Sequence, residues 1–395
     1  MNIGQSADIA AAGGIIEPIA LERFFEEYWE KKPLHIGRSS TNPFASLISI
    51  KTIEELLSTN ALYFPSVQLS HAGQSIPISE YTDGNNSIVS NRVIERYRNG
   101  STIVISQAHR LVSNLMALCR TIETSLMMRC QTNVYLSPAG NQGFNPHYDT
   151  HDVFILQVSG RKTFNFYSSG ANLPSSGDKF SSDIHTVGEK TEEVQLSGGD
   201  TLYIPRGIVH DAVADTDEPS LHITLGVYPV LLNNVIEEIT HIAFESDARL
   251  RAAVLQSDWM LDTNGEQTMH LIKQLVQEHI NIDVVRAALQ RLRDDVAVES
   301  IPDNEGLLSK AMEPAINLNA KLVVQHHKIL QIESHDKMVI LRLHGQVVEF
   351  SDSIGVAVQW VLNQDEVCPQ ELPGLVQEQK LALTAQLRGL GVLSQ

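Results

Sequence analysis

The chain has 395 residues, 43% of them hydrophobic, with 47 acidic against 29 basic side chains and a formal net charge of −18. That length implies two or three domains, and that charge argues against a phosphate backbone as direct partner and for a basic protein or peptide. Three cysteines (Cys119, Cys130, Cys368) are too few for a disulfide scaffold, no apolar run could span a bilayer, and no signal-peptide pattern opens the chain, so a soluble cytoplasmic protein is expected.

Leu21 to Trp29 reads as an amphipathic helix closed by Lys31-Lys32-Pro33, and Leu34-His35-Ile36 as a strand. Further strands are expected at Thr102–Ile105, Thr132–Leu136, Val153–Val158, Lys162–Tyr167, Thr201–Ile204 and Leu221–Val227, punctuated by Gly-rich turns. Many short strands of this kind predict a sandwich or barrel for residues 1–231. From 232 to 312 the apolar period becomes helical (Val235, Ile236, Ile239, Ile242; then Leu271, Leu275, Val276), marking a packing or oligomerisation segment. Residues 313–395 are mixed: strands at Met338–Leu343 and Val347–Phe350, helices at Ile354–Leu362 and Leu375–Leu390, and a terminal strand. This tail has the pattern of a winged helix, yet its acidic balance predicts a protein-contact role and no direct DNA binding.

The chemistry concentrates at His147-Tyr148-Asp149. Side chains alternate along a strand, so His147 and Asp149 are expected on one face and Tyr148 on the other. Downstream, Gly199-Asp200 makes a turn, a short strand reaches Pro205, and Gly207 redirects the chain so that His210 faces inward. Two histidines and one carboxylate leave positions open on a metal, an arrangement typical of non-haem Fe(II) oxygenases.

Lys162 shares a face with Phe164 and Phe166. An ammonium on an apolar inward face is costly unless an anion meets it. By the same alternation Asn133 and Tyr135 lie together, Tyr135 within reach of such an anion and Asn133 placed to orient it. His222 and Thr224 also share a face, which lines a cavity or meets solvent depending on how Leu221, Ile223 and Leu225 pack.

Several stretches resemble the JmjC/cupin oxygenase superfamily and, within it, the ribosomal oxygenases. They are Tyr28-Trp29-Glu30-Lys31-Lys32-Pro33-Leu34, Asn133-Val134-Tyr135, Gln142-Gly143-Phe144 leading to Pro146-His147-Tyr148-Asp149, Asp152 to Gln157, and Pro205-Arg206-Gly207 before His210. The resemblance implies a double-stranded β-helix (a jelly-roll or cupin core) followed by an α-helical segment and a C-terminal winged-helix-like α+β domain. It implies Fe(II) held by His147, Asp149 and His210, with 2-oxoglutarate and O2 as co-substrates. The far carboxylate of 2-oxoglutarate would meet Lys162, supported by Tyr135 and Thr224. Bacterial ribosomal oxygenases often carry arginine at the Lys162 position; lysine resembles the eukaryotic-type members. The helical segment implies a homodimer.

The expected function is therefore hydroxylation of a residue in a basic protein, a ribosomal protein among the candidates. A hydroxylase or N-demethylase that tailors a peptide or small natural product is a second reading, and a non-enzymatic cupin-like scaffold a third.

Overall fold

The computed structural model describes residues 14–38, 42–253, 265–311, 316–335 and 337–395. The chain forms two compact units, Met1–Pro229 and Val230–Gln395. The border expected at 312/313 and the stretch on which the signal-peptide reading rests lie outside the described residues.

In the first unit, helix α1 (Leu21–Glu27) buries Phe24 and closes where the Tyr28 amide donates to the Phe24 carbonyl at 2.9 Å. Pro33 cannot continue a helix, and β1 (Leu34–Ile36) follows in extended form. The sequence reading passes from here straight to strands, whereas the described residues after β1 also include the α-helices α2 (Ile50–Thr59), α3 (Ser90–Arg98) and α4 (Ser113–Leu126). The first has a plain signature. The Ser49 side chain caps the Thr52 amide, and Ile53, Leu56 and Leu57 form the buried stripe.

The strands are β2 (Val67–His71), β3 (Gln74–Ser75), β4 (Thr102–Ile105), β5 (Arg129–Ser137), β6 (Asp152–Ser159), β7 (Lys162–Gly170), β8 (Lys190–Leu196), β9 (Thr201–Ile204), β10 (Ile208–Ala214) and β11 (Ser220–Tyr228). They make an eight-stranded sheet in the order β1-β9-β6-β11-β5-β4-β2-β3 and a three-stranded sheet in the order β10-β7-β8. Every strand pairing in the two sheets is antiparallel. The period of two assigns the faces. Val134, Leu136, Phe154, Leu156, Leu221, Ile223 and Leu225 pack in one core with Phe24, Ile53 and Leu115 from the helices. Val153 and Ile155 point the other way, onto Phe164 and Phe166 of the small sheet. The result is the expected jelly-roll core.

A buried polar knot ties three of the stretches singled out from sequence. The Arg206 guanidinium pairs with Asp152 at 2.7 Å and Glu30 at 2.6 Å, and the Tyr203 hydroxyl donates to Asp152 at 2.7 Å.

The second unit opens with helices α5 (Leu232–Ser246), α6 (Glu266–His279), α7 (Ile282–Glu299) and α8 (Leu307–Ala311). Only part of the predicted stripe is buried: Ile239 and Leu275 are, while Ile236 and Val276 are exposed, and Ala243, outside that stripe, is buried as well. The tail is α+β. Strands β12 (Leu322–Val324), β13 (Ile329–His335), β14 (Met338–Leu343), β15 (Gln346–Phe350), β16 (Glu366–Val367) and β17 (Leu393–Ser394) form two three-stranded sheets. They pack with α9 (Asp352–Val361) and α10 (Gln377–Gly389) around one apolar cluster. No helix among the described residues is long and apolar enough to cross a membrane.

Candidate metal centre

Strand β10 pairs with β7 on one side, His210 lying opposite Phe166. Along its other edge runs the segment 141–149, attached by isolated bridges between Gln142 and Val213 and between His147 and His210. The His-x-Asp triplet is therefore not in a regular strand, as its alternation predicts. Between the two bridges the segment advances five residues while β10 advances three, so two residues are left without partners and the ladder is interrupted. The expected placement of the side chains survives, because the His147 bridge sets the register.

His147, Asp149 and His210 each offer one ligand atom within 4.8 Å of the others. Asp149 Oδ2 lies 3.9 Å from His210 Nε2, and the two imidazole centroids are 5.0 Å apart. Each ring has its other nitrogen committed: His147 Nδ1 to the Asn145 carbonyl at 2.8 Å, His210 Nδ1 to the Ile208 carbonyl at 2.9 Å. A carbonyl only accepts, so Nδ1 carries the proton in both and each Nε2 lone pair is left for a metal. Burial, followed by the neighbouring His147, lowers the His210 pKa and keeps that ring neutral. Two imidazoles and a carboxylate beside an open cavity fit a divalent ion of the Fe(II) type. The second group with metal-like composition, Asp247, Glu278 and His279, is instead bridged by the Arg249 guanidinium, which pairs with both carboxylates.

A cavity of about 90 Å³ opens beside the triad and is lined by Asn133, Tyr135, Phe144, Lys162, Phe164, His222 and Thr224 together with the three candidate ligands. Lys162 is 2% exposed, and among the described residues its hydrogen-bond partner is the Ser137 hydroxyl, 3.1 Å from Nζ. Desolvation alone pulls its pKa down to about 7. A buried amine with one neutral partner and two donors to spare is suited to an incoming carboxylate.

The question left open at β11 is decided by its packing: Leu221, Ile223 and Leu225 face the helices, so His222 and Thr224 face the cavity. Thr224 lies opposite Asn133 and His222 opposite Tyr135, with the His222 and Tyr135 rings stacked at 4.8 Å and 2°. Burial, then the charge of Lys162, holds His222 well below the usual histidine range. Burial and then Asp149 raise the Tyr135 pKa, so its hydroxyl stays a donor. Asn133 lines the cavity while its Oδ1 accepts from the Gln107 amide at 3.0 Å, so it also anchors the turn after β4.

Residues 105–235 match the family model described as a JmjC domain. This segment is a JmjC domain. A Dictyostelium discoideum protein named bifunctional lysine-specific demethylase and histidyl-hydroxylase NO66 is 33% identical over 232 residues, 56% of this chain and 43% of that protein. The Drosophila mojavensis protein of the same name is 31% identical over 316 residues, 73% of this chain and 34% of its own length. The chain thus spans less than half the length of these curated relatives. Among solved structures, Escherichia coli ribosomal oxygenase YcfD superposes with a TM-score of 0.53 at 16% identity, covering 95% of this chain and 98% of that one. A YcfD complex with cobalt and 2-oxoglutarate gives 0.53 at 15% identity with the same coverage. At such identities the likeness is one of fold.

The JmjC domain also uses residues that the sequence reading did not single out. Ser137 holds Lys162, and it is the next inward position after Asn133 and Tyr135 in β5; period two reaches it once the strand extends past Leu136. Asp211, next to His210, accepts from Asn165 at 2.6 Å, Tyr167 at 2.8 Å and Gln142 at 3.3 Å, and so ties the 141–149 segment to β7. His151 also lines the cavity and stacks on Tyr228 at 4.7 Å.

Proposed function

We propose that this chain is an Fe(II)- and 2-oxoglutarate-dependent dioxygenase that hydroxylates a residue of a basic protein. The carrying observation is that the His147, Asp149 and His210 ligand atoms and the buried Lys162 amine border one cavity. His147 Nε2, His210 Nε2 and the Asp149 carboxylate would hold the iron. When bound with 2-oxoglutarate and O2, iron supplies oxidation of an unactivated C–H to an alcohol, with succinate and CO2 as co-products. The chain's own residues clamp and orient. Lys162 pairs with the far carboxylate of 2-oxoglutarate, the Tyr135 hydroxyl donates to the same group, and Thr224 and Asn133 define its seat. Phe144, Phe164 and the buried walls of the JmjC domain limit water.

The substrate reading draws on charge. A chain of net charge −18 attracts a basic protein, and the relatives' names include a histidyl-hydroxylase while the structural neighbour is titled a ribosomal oxygenase. A ribosomal protein is the substrate we infer, in the cytoplasm. The exposed apolar side chains of α5 to α7 support a homodimer, and the α+β tail, winged-helix-like in sequence pattern, supports a third domain for protein contacts. Removal of N-methyl groups is the second reading, because the relatives' names also carry a lysine-specific demethylase. Incubating Fe(II), ascorbate, 2-oxoglutarate and basic ribosomal proteins with the enzyme should add the mass of one oxygen atom to a single residue. Formaldehyde release would favour demethylation, and failure to bind Co(II) and 2-oxoglutarate at all would end both readings.

A further inference from the structure

The connection between β7 and β8, residues 171–189, is long for a compact β domain. Loops of more than ~12–15 residues without secondary structure are usually functional or unstructured. This one is pinned at a telling place. Tyr148, the residue between the two candidate ligands of the triplet, turns away from the cavity and is 4% exposed. Its hydroxyl donates to the Asp178 carbonyl at 2.8 Å. That commits its single proton, so the contact with His185 Nε2 at 3.2 Å has His185 as donor. His185 is itself braced through Nδ1 by the Ser181 backbone at 3.1 Å. Phe180 completes the enclosure: it meets the Tyr148 ring edge-on at 5.3 Å and stacks on His185 at 5.4 Å.

A second connection reaches the other end of the triplet. The Asp149 carbonyl accepts from the Gly207 amide at 2.9 Å, and the Gly207 carbonyl accepts from the Ala171 amide, the first of the loop, at 3.0 Å. Gly207 has φ +89°, and a Cβ there would sit 1.9 Å from the Ala171 oxygen, so only glycine permits the link.

We infer that the 171–189 loop is a clasp that positions the metal ligands, with Tyr148, His185 and Phe180 as positioning residues acting through the backbone of His147 and Asp149. The triplet needs such support, since it stands outside a regular strand and meets β10 through an isolated bridge at His147. Groups that orient first ligands from outside the coordination sphere typically change metal affinity by ~10–100-fold when removed.

The inference rests on the metal-centre reading, and the test separates the two. The 395-residue wild-type chain, His185→Ala, His185→Gln, Phe180→Ala and Tyr148→Phe are titrated with Co(II), following affinity and the visible d–d spectrum, alongside the thermal midpoint of each metal-free protein. His185→Ala, Phe180→Ala and Tyr148→Phe should bind Co(II) about tenfold or more weakly, with altered band intensities. His185→Gln, whose amide can still donate to Tyr148, should recover most of the loss. Tyr148→Phe keeps the ring and its packing, so it remains informative if either alanine variant unfolds. Wild-type affinity and spectrum in Tyr148→Phe and in the folded alanine variants overturn the clasp. No Co(II) uptake by wild type overturns the metal-centre reading instead.

Discussion

His147 and His210 exchange both backbone hydrogen bonds, the His147 amide donating to the His210 carbonyl at 3.0 Å and the His210 amide to the His147 carbonyl at 2.8 Å. Residues opposed in this way across an antiparallel bridge keep their side chains on one face. The ligand pair is thus brought together by main chain, and the rings only complete it. His147→Ala and His210→Ala should each reduce Co(II) affinity by more than about 100-fold, beyond the loss typical of supporting residues. The metal-free thermal midpoint should barely move, because the bridge needs neither ring. Calorimetric unfolding of the metal-free variants checks this; a midpoint collapse would mean that the rings hold the backbone.

Lys162 makes a pH prediction with a definite sign. Its folded-state pKa is lowered to about 7 from the ordinary 10.5. Between those values the unfolded chain binds more protons than the folded one, so the stability of the ligand-free protein rises with pH across the window. Lys162→Met removes that contribution. Its stability advantage over wild type should be largest at and below about pH 7 and shrink towards about pH 10, as followed by urea unfolding. In wild type a bound dicarboxylate favours the ammonium. Near pH 8, 2-oxoglutarate binding should therefore take up a proton, seen as a buffer-dependent calorimetric enthalpy that Lys162→Met lacks.

The inward sets Asn133/Tyr135 and Lys162/Phe164/Phe166 were legible because period two is local to a strand. The face of His222 and Thr224 was not, since it depends on which layer receives Leu221, Ile223 and Leu225, a property of the assembled sheet. The His147–Asp149 alternation gave the right facing from the wrong element, since the register slips by two residues between the Gln142 and His147 bridges and confines the pairing to them. Helix α2 has a legible signature in Ser49 and its stripe, but it stands between stronger strand signals. Phe180 and His185 carry no period, and their meaning comes only from contact with Tyr148, more than thirty residues away in the chain.

Gly226 sits on β11 beneath His151, and a Cβ there would approach His151 Cδ2 to 2.6 Å. The His151 ring is stacked on Tyr228 with an interplanar angle of 13°, so it cannot withdraw without leaving that partner. Gly226→Ala should therefore destabilise the protein by about 1–3 kcal/mol, the usual range for overpacking. His151→Ala should remove most of that penalty in the double variant. A double-mutant cycle by urea unfolding measures the coupling. Additive losses would mean that the strand, and not the ring, resists the methyl group.

Ile236, Ile272 and Ile282, on α5, α6 and α7, are each more than half exposed. Scattered apolar residues need no explanation, but the proposed homodimer calls for apolar side chains on this unit, and these three are its candidates. A stable dimer covers about 1,200–2,000 Å² in total, and its central side chains carry most of the energy. A carboxylate introduced there would be desolvated without a partner. Ile236→Asp with Ile272→Asp should shift the protein from dimer to monomer in light scattering at micromolar concentration. Co(II) and 2-oxoglutarate binding should stay unchanged, because the metal centre lies wholly within Met1–Pro229. A wild-type chain that is monomeric throughout that range removes the dimer from the proposed function and leaves the metal centre untouched.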